Sequence, residues 1–137
     1  MSDEPTVWTA EWRGGFTTEV SGRGHVLRSD EPASVGGDDT GPMPTELLTA
    51  ALASCFCLAI AWAANKRDIE LPPDLRVGVA AIRAGREPRY GRYEVSVYSS
   101  LPEDELAPLV ERAKRFCWVT NTLAEPPEVA YEVHSEG

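Results

Sequence analysis

From Leu47 to Ala64 the chain carries no charged residue, and seven of those eighteen positions are alanine. A helix of that length could cross a bilayer, which takes roughly 20 mostly apolar residues. Thr49 and Ser54 interrupt the run, the alanines keep it thin, and the flanking sequence reads as an ordinary soluble domain. The expectation is a long helix buried on nearly all sides of a protein core. Everything else in 137 residues has to fold around it.

The approach to this helix is "EPASVGGDDTGPMP", a Gly-, Pro- and Asp-rich stretch that suits neither strand nor helix interior and reads as a loop. Pro44 or Thr45 fits the first helical position or the cap, and Glu46 in the first turn complements the helix dipole. Upstream, "TVWTAEWRG" and "FTTEVSG" read as strands joined near Gly14 and Gly15, with "GHVLRSD" as a third.

After "NKRDIELPPD" ends the helix, "LRVGVAAIRAG" and "RYGRYEVSVYSS" alternate as a strand pair, with Tyr93, Val95 and Val97 on one face. A second, amphipathic helix follows. Ser100 with Glu103 resembles a capping box, and Leu106, Leu109, Val110, Ala113 and Phe116 keep helical spacing. Pro108 inside that pattern predicts a kink, or a helix that starts near Ala107. "VTNTLAEPP" reads as a turn and "EVAYEVH" as a closing edge strand. The chain length fits one domain, 1–137, and the element order predicts an α+β fold with antiparallel sheets.

Twenty-two acidic residues against thirteen basic ones give a net charge of -9, which repels nucleic-acid backbones and anionic membrane surfaces, so neither is expected as a partner. The short basic groups, Lys66 with Arg67 and Arg112 with Lys114 and Arg115, do not reverse that. The N-terminus is acidic and lacks signal-peptide character, and three cysteines do not make a secreted disulfide framework. A reducing cytoplasm is the expected compartment.

Residues two apart on a helix point about 200° from each other, so Cys55 and Cys57 cannot bond within an intact helix. Cys57 sides with Ala50, Ala53, Ala61 and Ala64 and reads as packing. Cys55 sides with Leu48, Leu52, Ala59 and Trp62, and its role stays open on this pattern. Cys117 ends the second helix beside Lys114 and Arg115, cations that would favour a thiolate but also simply complement a helix end. Trp62 and Trp118 are expected in the core, or along an apolar channel. His25 and His134 have no carboxylate spacing that suggests a metal site, and no phosphate-binding or serine-hydrolase motif is present.

Taken together, "GHVLRSDEP", the glycine pair after it, "GPMPTELLTAALASCF" and "AKRFCWVTNTL" resemble, in that order, the OsmC/Ohr family of thiol-dependent hydroperoxide reductases. The resemblance implies an OsmC-like fold in an intertwined homodimer with active sites at the subunit interface. It implies Cys55 as the peroxide-attacking cysteine and Cys117 as the resolving one. Organic hydroperoxides would be the substrates, an external dithiol the reductant, and no cofactor would be needed. Cys57 matches no catalytic position of the family.

Peroxidase members lower the thiol pKa with an arginine held by a glutamate ten residues before the reactive cysteine, where this chain has Thr45. Glu46 lies one residue later, about 13 Å along a helix from Cys55 and on its opposite side. Arg28, ahead of Arg23, is the expected activating arginine. The departure leaves an alternative: an OsmC-like binding or stress-associated protein that keeps the fold without a complete peroxidase site.

Overall fold

The structure, a computed structural model, describes residues 3–137. Its elements follow the order β1 (Thr9–Trp12), β2 (Thr18–Gly22), β3 (His25–Ser29), α1 (Pro44–Lys66), β4 (Arg76–Arg83), β5 (Tyr90–Tyr98), α2 (Glu103–Phe116) and α3 (Trp118–Ala124). The chain divides into two compact units, one ending at Thr49 and one running from Ala50 to Gly137. This is the expected α+β class, with three helices and small antiparallel sheets.

In the first unit β2 lies between β1 and β3, all antiparallel. The β2–β3 connection consists of Arg23 and Gly24, both at positive φ, 48° and 80°. That is the backbone of a type I′ turn, whose twist matches the strands it joins. Trp8 lies flat against Gly22, where an added Cβ would fall 2.5 Å from the indole ring.

The loop after β3 is organised by one carboxylate. Asp30 is fully buried, and its two oxygens accept hydrogen bonds from the backbone N–H groups of Glu31, Asp38 and Thr40 and from the Thr40 hydroxyl, the last at 2.6 Å. The Thr40 hydroxyl, more than any other group, holds this carboxyl well below the usual carboxylate range. Pro44 takes the first position of α1, and Glu46 reaches back to accept a hydrogen bond from the Met43 N–H at 3.0 Å. This is the returning half of a capping box.

In the second unit the core is a stripe of α1, namely Leu52, Phe56, Ala59, Ile60, Ala63 and Ala64, closed by Leu109, Ala113 and Cys117. The β4–β5 pair packs onto this cluster through Val77, Val79, Tyr93 and Val97. Of the face expected from Tyr93, Val95 and Val97, Tyr93 and Val97 pack on the core while Val95 stays exposed.

Four expectations need correction. The helix α1 is buried along one stripe rather than on nearly all sides: Leu58 is 66% exposed and Trp62 46%. The second helix starts at Glu103, not near Ala107, and no Ser100–Glu103 capping box forms. Pro102 caps it through its carbonyl, which accepts from the N–H groups of Glu105 and Leu106, while the Ser100 N–H is turned to the Asp74 carboxylate. Three acidic residues in its first turn complement the dipole and offset the bond lost at Pro108. "WVTNTLA" is a helix, not a turn.

The fourth concerns "EVAYEVH", which forms no strand. A strand requires a partner for its backbone, and among the described residues no sheet edge pairs with this segment. Its alternating Val129, Tyr131 and Val133 are 65%, 87% and 93% exposed.

Candidate active site around Cys55

A cleft of about 540 Å³ in the second unit has a cysteine on its wall. The helix α1 supplies Cys55 and, three and seven residues on, Leu58 and Trp62; the end of α2 supplies Phe116 and Arg115, and α3 supplies Trp118 and Asn121. Residues at those intervals share one helix face, so a thiol there is flanked by the apolar side chains after it.

The aromatic walls are fixed by contacts within the unit. Trp62 and Phe116 meet edge to face with ring centroids 4.5 Å apart, and the Lys66 ammonium lies 5.2 Å from the Trp62 ring centroid. The Asn121 amide donates to the Arg115 carbonyl at 3.2 Å, tying α3 to the last turn of α2.

Cys117 is the joint between those helices. Its φ of -80° and ψ of 104° break the helical path. Its N–H donates to the Ala113 carbonyl, its own carbonyl accepts from the Asn121 N–H, and its Sγ accepts from the Thr120 hydroxyl at 2.9 Å. The side chain is completely buried, while Cys55 is half-buried and packs against the cluster that contains Cys117. All three cysteines are free thiols.

The other two candidates lie in the first unit. Arg28 is exposed on β3, opposite Glu19 of β2. Arg23, its alternative, occupies the left-handed turn position between these strands. Glu46 is exposed and engaged at the start of α1. Arg115, which sequence reasoning attached only to Cys117, lines the same cleft as Cys55. Asn121 was missed altogether, because its segment reads as a turn. Among the described residues no cluster of His, Cys, Asp or Glu suits a metal ion.

The second unit thus carries a free thiol on the wall of an aromatic cleft, packed against a core that contains a second thiol, within an α+β fold. Residues 36–132 match the OsmC-like protein family, and the chain belongs to it. An uncharacterized protein of Acinetobacter baylyi is 27% identical over 140 residues, with 97% of each chain covered. The organic hydroperoxide resistance protein OsmC of Legionella pneumophila superposes with a TM-score of 0.68 at 25% identity, covering 91% of this chain and 93% of that one. A structure of an osmotic stress induced and detoxification response protein from Psychrobacter arcticus gives a TM-score of 0.75 at 18% identity, covering 88% and 90%.

Proposed function

We propose that the protein is a thiol peroxidase for organic hydroperoxides, with Cys55 as nucleophile and Cys117 as resolving cysteine. One observation carries this reading: of the three thiols, Cys55 alone lines the aromatic cleft, and it does so while packed against the cluster to which Cys117 belongs. An apolar cleft suits the organic part of a hydroperoxide.

In this reaction the Cys55 thiolate attacks the terminal oxygen of ROOH. The O–O bond breaks, an S–O bond forms, and the departing alkoxide takes up a proton to leave as ROH. The Cys117 thiolate then attacks the Cys55 sulfenic sulfur; the S–O bond breaks, hydroxide leaves as water after protonation, and a disulfide forms. An external dithiol returns two electrons by exchange and is itself oxidised to a disulfide. The cycle needs no metal or organic cofactor.

The same reading includes an intertwined homodimer in the cytoplasm. The exposed apolar side chains Leu58, Trp62 and Trp118 and the unpaired, alternating Val129, Tyr131 and Val133 support it, since large exposed apolar patches mark interaction surfaces. A non-catalytic ligand-binding role is favoured by a single feature: Glu46 is engaged in capping α1.

Anaerobic stopped-flow mixing of the reduced protein with one equivalent of cumene hydroperoxide, followed by mass spectrometry, decides between them. Rapid consumption with a Cys55–Cys117 disulfide is the expected result. Reaction no faster than that of a free thiol, with Cys55 unmodified, leaves the binding role.

A further inference from the structure

We propose that the Thr120 hydroxyl makes Cys117 the sulfur that departs when the Cys55–Cys117 disulfide is reduced, so that the external dithiol is captured on Cys55; this rests on the reading of Cys117 as resolving cysteine. The Thr120 Oγ1 lies 2.9 Å from the Cys117 Sγ and donates to it. The two residues are within one turn of a single chain, and the sulfur is completely buried by that chain, so a second subunit adds cover to this contact and removes none.

That direction of the hydroxyl is not the ordinary one. A threonine in a helix commonly turns its hydroxyl to a carbonyl three or four residues back. Thr49 and Thr122 do so, to the carbonyls of Thr45 and Trp118 at 2.9 and 2.8 Å, whereas Thr120 donates to a side chain. Cys117 stands at the N-cap of α3, where a side chain would ordinarily accept from a helix N–H, and its sulfur makes no such bond. The hydroxyl is thus aimed at a sulfur that the helix start leaves to it.

A neutral sulfur is a weak acceptor and a charged one a strong acceptor, so this bond gains most where negative charge arrives on Sγ. Charge arrives there in reduction. One thiolate of the dithiol attacks the Cys55 Sγ, a bond forms between reductant and Cys55, the Cys55–Cys117 bond breaks, and its electron pair leaves on Cys117 against the Thr120 hydroxyl. The reductant's second thiol then attacks its own sulfur in the mixed disulfide, releasing Cys55 as a thiolate and leaving as an oxidised disulfide. The two protons of the dithiol end on the protein thiols. Attack in the opposite sense would have to reach a sulfur sealed between α2 and α3.

The test takes the whole chain oxidised with diamide, with its Cys55–Cys117 bond verified by peptide mass mapping, and follows reduction by dithiothreitol through tryptophan fluorescence in stopped flow. Thr120→Val keeps the shape without the donor, and Thr120→Ser keeps the donor without the methyl group. Reduction should slow about tenfold in Thr120→Val, the lower end of what a hydrogen bond to a charged group contributes. It should be unchanged in Thr120→Ser and in Thr122→Val, whose hydroxyl serves a backbone carbonyl. Glutathione, a monothiol without a second group to release it, should be found on Cys55. Reduction of Thr120→Val at the wild-type rate, Thr120→Ser as slow as Thr120→Val, or glutathione on Cys117 overturns the proposal.

Diamide also keeps this test apart from the peroxidase reading. If diamide closes the Cys55–Cys117 bond and cumene hydroperoxide does not, the peroxidase reading falls, and the reduction rates still judge Thr120. If neither oxidant closes it, Cys117 is not a resolving cysteine and the proposal falls with that role.

Discussion

The Trp62 and Phe116 rings meet at 60° with centroids 4.5 Å apart, which couples the face of α1 carrying Cys55 to the last turn of α2. Both rings are nearly half exposed, so this contact acts as a clasp at the edge of the core. A double-mutant cycle with Trp62→Ala and Phe116→Ala, read by urea unfolding, should give a coupling of about 0.5–1.5 kcal/mol. Additive losses would mean that each ring is held by other neighbours.

The proposed roles of the two thiols separate by substitution. Cys55→Ser should reduce peroxide consumption to the level of an unrelated thiol. Cys117→Ser should permit one turnover and then stop, leaving a Cys55 sulfenic acid that a dimedone-type reagent traps as an adduct. Sustained turnover of Cys117→Ser at the wild-type rate with the external dithiol present would show that Cys117 is not needed as resolver.

Arg23 occupies a left-handed position that a long side chain adopts at a cost and that asparagine tolerates. Arg23→Asn ahead of Gly24 gives the Asn-Gly pair preferred in type I′ turns and should stabilise the protein by about 0.5–1 kcal/mol in chemical denaturation. The same variant tests Arg23 as an activating cation, since it should leave peroxide consumption unaltered.

Asp30 makes stability depend on pH with a definite sign. Its carboxyl has a folded-state pKa below its unfolded value, so its contribution is complete above the unfolded pKa of about 4 and falls away as pH drops further toward the folded value. Thermal unfolding between pH 7 and pH 2 should therefore show a loss of Tm in acid that is smaller in Asp30→Asn. The variant should also melt lower at pH 7, because an amide cannot accept all the hydrogen bonds that converge there.

Much of this fold is legible in the chain because its local signals agree with its packing. Gly14 and Gly15 and the alternation from Tyr93 to Val97 place the strands within about three residues. Pro44 and Glu46 begin α1 where they stand in the sequence. The failures are equally local. Pro108 draws the eye from Pro102 as a helix start, although the carbonyl of Pro102 and three following carboxylates decide it. The threonines and asparagine of "WVTNTLA" have turn character, yet Asn121 and Thr122 spend their side chains on the carbonyls of Arg115 and Trp118, stabilising a helix. Cys55 and Cys117 are visible through the family pattern, whereas Arg115 shares a cleft with Cys55 only because α2 ends beside α1, which no spacing along the chain encodes.

The three thiols differ in how a reagent dissolved in water can reach them. Cys55 and Cys57 are within reach of the folded protein's surface, but Cys117 is sealed at the joint between two helices. Its alkylation therefore has to wait for that joint to open, and the delay between labelling of the first two thiols and labelling of the third is a clock for the breathing of the Ala50–Gly137 unit.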